Sequence, residues 1–114
     1  MGRSWDAEEG PYFWDDVVSE RGKDSAFAIV LVIGIVGWVV EDPFRGTPLH
    51  DDVFVLHSVP VMHDNVLYAY RIAYRLKEYD ALQDGKSGLI TLDKAEPYDP
   101  GDMLDEEWGA KNHH

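Results

Sequence analysis

The chain has 114 residues, with 22 acidic and 10 basic side chains, a formal charge of -12 and no cysteine. That length allows one domain with one modest core. The charge argues against direct nucleic-acid binding, which usually needs a basic footprint. The missing cysteines exclude disulfides, thiolate catalysis and cysteine metal sites.

Residues 1–24 read as a polar and aromatic N-terminal arm. Its opening, "MGRSWDAEEGPYFWDD", is acidic, whereas a secretory signal begins with a basic stretch and an apolar run. Within the arm, "PYFWDDVVSERGKD" predicts a short helix. Pro11 suits a first-turn position, and Phe13, Trp14, Val17 and Val18 share an apolar side.

Residues 25–40, "SAFAIVLVIGIVGWVV", carry no charge, no proline and no turn dipeptide. As a helix the run rises about 24 Å, close to the lower limit for a membrane span. Asp24 and Ser25 can cap its start, and Glu41-Asp42-Pro43 stops it. Trp38 lies near one end, where an interfacial ring is expected. Ala26, Val30, Gly34 and Gly37 follow helical spacing, so a second helix can approach that side closely. Arg21 and Lys23 before the run, against Arg45 after it, favour a cytoplasmic N-terminus. The alternative is a buried central strand at 26–40, since the run is rich in Val and Ile.

Residues 41–92 read as a small extramembrane region. "DVFVLHSV" predicts a strand that Pro60 breaks. "DNVLYAYRIAYRLKEYDAL" predicts an amphipathic helix over 64–82, capped by Asp64 or Asn65 and ended by Gly85. Val66, Ala69, Ala73 and Leu76 share its apolar face, with Ile72 and Tyr79 beside them. Tyr70, Arg71, Tyr74 and Arg75 then form a face rich in tyrosine and arginine, suited to a partner or to lipid headgroups. "QDGKSG" is a turn, followed by a short strand in 88–92. Residues 93–114 form an acidic tail in which Trp108, among acids, suits wrapping over a partner.

His50, His57 and His63, two of them followed by Asp, are the candidate metal ligands. Their spacing matches no metal motif. No phosphate loop, GxSxG or Ser–His–Asp spacing occurs, so no catalysis and no cofactor are expected.

Two readings follow. The first is a mainly α, single-pass membrane protein, a non-catalytic accessory subunit of a larger membrane complex. The second is a soluble, cytoplasmic α+β domain with sheet residues 26–40, 53–59 and 88–92. It would act as an acidic binding module for a basic protein, as immunity and antirestriction proteins do.

Overall fold

The computed structural model of the protein describes residues 4–101. Of its residues, 48% lie in strands and 27% in helices, so the mainly α expectation is overturned. Strand β1 (Ser4–Glu9) leads to a short helix α1 (Asp15–Val18) and a long helix α2 (Ser25–Glu41). Strands β2 (Thr47–His50), β3 (Val53–His57), β4 (Val61–His63), β5 (Val66–Tyr68), β6 (Tyr70–Gln83) and β7 (Lys86–Pro97) follow. Five strands form one sheet in the order β1-β7-β6-β3-β2, and β4 pairs with β5 in a separate hairpin. Only β1 against β7 is parallel; the other pairings are antiparallel.

The uncharged run folds as helix α2, not as the buried strand of the second reading. Its start is fixed by Asp24, whose side chain accepts from the Ala26 and Phe27 amides at 3.0 and 3.2 Å. Two of the orphan donors of the first turn are thereby satisfied. Its end is fixed where Asp42 turns extended before Pro43. Ala28, Val32, Ile35 and Val39 recur at helical spacing and are buried against the sheet.

Among the described residues no helix is long and apolar enough to cross a membrane. This corrects the expected span, the membrane localisation and the orientation read from it. Seventeen residues rise about 26 Å, short of a hydrocarbon core about 30 Å thick. One whole side of the helix is also spent on the sheet.

The helix expected over 64–82 is a correction of another kind. Those residues form β5 and most of β6. Tyr70, Ile72, Tyr74 and Leu76 point inward and are buried, while Arg71, Arg75 and Lys77 point outward. That is the period of two of a half-buried strand. Both ends are tight turns rather than caps. Asp64 and Asn65 have φ of 49° and 64°, and Asp84 and Gly85 have φ of 52° and 79°. Two consecutive residues with positive φ make the turn whose twist matches a β-hairpin. Accordingly His63 pairs with Val66, and Gln83 with Lys86.

The core lies between α2 and the inner face of the sheet. Tyr68, Tyr70, Tyr74, Ile72, Ile90 and Leu92 fill it, with Phe13 and Val17 closing the α1 side. Of the short helix expected within residues 11–24, only Asp15–Val18 is helical as α1; Pro11 lies in the turn before it rather than in its first turn, and Phe13 of that turn and Val17 of α1 are buried.

Candidate functional site

Two surfaces stand out. The first is a cleft of about 630 Å³ at the C-terminal end of α2. Trp5 of β1, Glu41 of α2, the turn Asp42–Arg45 and Glu78 of β6 line it. Three carboxylate residues and one arginine therefore line the same cleft.

Its walls are set by several local constraints. The Asp42 carboxylate accepts from the Phe44 amide at 3.2 Å, which winds Pro43–Arg45 into a 3-10 turn. Buried Tyr74 holds that turn to the sheet: its hydroxyl donates to the Pro43 carbonyl at 2.6 Å and accepts from the Gly46 amide at 3.2 Å. Any side chain at Gly46 would collide with the Tyr74 hydroxyl, so glycine is required there. Trp5 lies over Gly88 of β7, where a Cβ would meet its ring. The rings of Trp5 and Phe44 meet edge to face at 5.8 Å, and Phe44 continues onto Phe54 at 6.1 Å. Carboxylates beside exposed aromatic surface attract a cation by charge and by the ring quadrupole together.

The second surface is the outward side of α2. Ala26, Val30, Ile33, Gly34, Gly37 and Trp38 are exposed along it, and only Glu41 at the end is charged. Val30 is 67%, Ile33 55% and Trp38 45% accessible, which is unusual for a helix side that faces water. A small apolar groove of about 160 Å³ borders it, between Leu31, Gly34 and Trp38 on one side and Ser58, Val59 and Val61 on the other.

The expected helix-packing residues Ala26, Val30, Gly34 and Gly37 thus share this exposed side. Of the expected interface residues, Tyr70 and Tyr74 are fully buried. Arg71 and Arg75 lie on the outer face of the sheet, Arg71 bonded to Glu96 at 2.6 Å and Arg75 to Asp93 at 2.8 and 2.9 Å. Trp108 lies outside the described residues.

The structure does not bring the three histidines together. His50 ends β2 and His57 ends β3, its ring edge-on to Tyr98 at 4.8 Å. His63 ends β4 and stacks on Phe27 at 3.9 Å. Among the described residues no group of three or more His, Asp or Glu side chains converges as a metal site.

A third cluster ties the α1–α2 loop to the sheet. Lys23 pairs with Glu20 at 2.7 Å and lies 5.5 Å from the ring centres of both Tyr68 and Tyr70. The Tyr70 hydroxyl donates to Glu20, and the Asp24 amide donates to the Tyr68 hydroxyl at 2.7 Å. Burial, and then the bond to Glu20, raise the Tyr70 pKa well above the ordinary tyrosine value. A phenol held so firmly protonated is no general base, and the cluster serves as a structural tie.

The acidic cleft was not visible in the sequence because three distant segments, around Trp5, Glu41–Arg45 and Glu78, build it. The one available signal was the tripeptide Glu41-Asp42-Pro43, read there only as a helix stop. No protein-family model, curated protein or solved structure matches this chain.

Proposed function

We propose that the protein is an acidic binding module for a basic protein partner. The observation that carries this reading is the cleft, where Glu41, Asp42 and Glu78 surround the edges of Trp5 and Phe44. A lysine or arginine side chain entering it would meet carboxylates on its charged head and aromatic carbon along its stem. The formal charge of -12 supports the reading by steering a basic partner toward the molecule from a distance. Most described basic side chains of the sheet are already occupied: Arg71, Arg75 and Lys94 are paired with Glu96, Asp93 and Asp16. Among the described residues the carboxylates of the cleft make no such ion pair.

The test is a nuclear magnetic resonance titration with a short synthetic Arg- and Lys-rich peptide. The Trp5 indole and the amides of 41–45 are expected to shift, and added salt should abolish the shifts. Glu78→Gln and Glu41→Gln should each weaken binding several-fold. Shifts that avoid the cleft, or an acidic peptide of equal length that binds as well, would refute the reading.

A further inference from the structure

We infer that the outward side of α2 is a self-association surface, on which a second copy of this chain packs its own α2 antiparallel about a two-fold axis. The axis passes between Ile33 and Gly34. This interface is independent of the partner reading and shares only Glu41 and Asp42 with it.

Shape is the first ground. Glycine in a helix interior costs stability, and α2 has two on its outward side. Nothing lies within 4 Å of a Cβ added at Gly34 or at Gly37. The fold of a single chain therefore has no use for glycine at either place. A neighbouring helix does, because missing side chains let two backbones approach. With the axis between Ile33 and Gly34, Val30 of each copy lies level with Gly37 of the other. A bulky knob then meets a notch twice, which is the self-complementarity that an isologous contact requires. The two Gly34 positions flank the axis and permit the closest approach there.

Charge is the second ground, and it sets the antiparallel sense. From Ala26 to Val40 the helix carries no charge. Glu41 stands in its last turn, where the helix dipole disfavours an acid. Arg21, exposed, lies before its first turn and makes no ion pair among the described residues. Antiparallel pairing sets Glu41 level with Ala26 of the other copy, at the helix end where the chain brings in Arg21 as well as the capping carboxylate of Asp24. The same arrangement forms at both ends. A parallel pairing would instead set Glu41 beside Glu41. A basic protein partner would find no carboxylate on this side other than Glu41, so a like copy fits it better.

The experiment uses the whole chain. Sedimentation velocity over a wide concentration series should show a monomer passing to a dimer. Gly34→Leu should abolish the dimer while leaving the circular dichroism spectrum unchanged and the thermal midpoint of dilute protein no lower. Arg21→Glu should weaken association about tenfold, and adding Glu41→Arg should restore it. The chain has no native cysteine, so disulfide trapping is clean. Val30→Cys with Gly37→Cys, oxidised with diamide, should give a covalent dimer, whereas Val30→Cys alone should not. A monomer at every concentration overturns the proposal and leaves the surface to an unlike partner or to residues 102–114. So does a dimer that survives Gly34→Leu, or one that Val30→Cys alone traps.

Discussion

The outer face of the sheet and the outer side of α2 both look away from the core, yet they are built on opposite principles. On the sheet, each strand presents polar groups that find partners on its neighbour. Arg71 meets Glu96, Arg75 meets Asp93, Thr91 donates to Glu8 at 3.2 Å and Tyr79 donates to Asp6 at 3.2 Å. Much of that surface is therefore paired within one chain. On α2 the outward residues from Ala26 to Trp38 are as apolar as the inward ones, and Val30, Ile33 and Trp38 remain about half exposed or more. An exposed apolar patch of this continuity marks a contact surface rather than a solvated face. The first surface needs nothing but water to be satisfied, whereas the second calls for a cover such as the self-association inferred above would supply.

The largest expected effect sets the two sides of α2 against each other. Ile33 and Ile35 are the same residue two positions apart, 55% and 2% accessible. Ile35→Ala removes buried methylenes from the contact with the sheet and should cost about 2–5 kcal/mol. Ile33→Ala, measured on dilute protein, should change stability by no more than about 0.5 kcal/mol. Urea denaturation of both variants decides the matter. Equal costs would mean that the outward side is covered within the single chain, and the contrast drawn above would collapse.

How much of this was legible in the sequence depended on the period of the apolar residues. The run at 25–40 was correctly a helix under the first reading, because Asp24 and Pro43 bracket it. Its destination was misjudged, because a helix apolar on all sides looks the same whether its second side meets lipid or protein. Residues 64–82 show the reverse failure. Val66, Ala69, Ala73 and Leu76 happen to fall at helical spacing. Yet "YRIAYRLK" alternates apolar and polar residues almost perfectly, and the flanking Asp-Asn and Asp-Gly pairs are hairpin turns. Weighing those two turns together would have given β5, β6 and β7. The strand at 53–57 was legible from its β-branched and aromatic residues. The cleft was not, since only the folded sheet brings Trp5 and Glu78 beside Asp42.

A second prediction compares the inner face of the sheet with its outer face through pH. Burial raises the pKa of both Tyr70 and Tyr74, which are closed off beneath α2. Below the ordinary tyrosine value of about 10, the folded and unfolded chains are equally protonated, and neither residue makes stability depend on pH. Above it the unfolded chain releases protons that the folded chain retains. Stability therefore falls as pH rises, by about 1.4 kcal/mol per pH unit for each tyrosine. Alkaline unfolding should coincide with a cooperative rise in phenolate absorbance. In Tyr70→Phe the slope should be shallower, with Tyr74, Tyr79 and Tyr98, whose pKa values are also raised, supplying the rest. Ionisation of these tyrosines in a chain that stays folded would contradict their placement in the core.

The smallest effect is the most telling about α2, because its sign should depend on concentration. Gly34→Ala adds one methyl group where nothing lies within 4 Å. In the single chain this replaces a poor helix former by the best one, so dilute protein should gain about 0.5–1 kcal/mol. In the antiparallel pair the same methyl group stands beside the two-fold axis and forces the backbones apart. Concentrated protein should then lose part of the stabilisation that association supplies. Thermal unfolding of the wild-type chain and the variant, at low and high concentration, gives two curves that cross. A gain of equal size at both concentrations would show that Gly34 meets only water. The apolar side of α2 would then need an occupant of another shape.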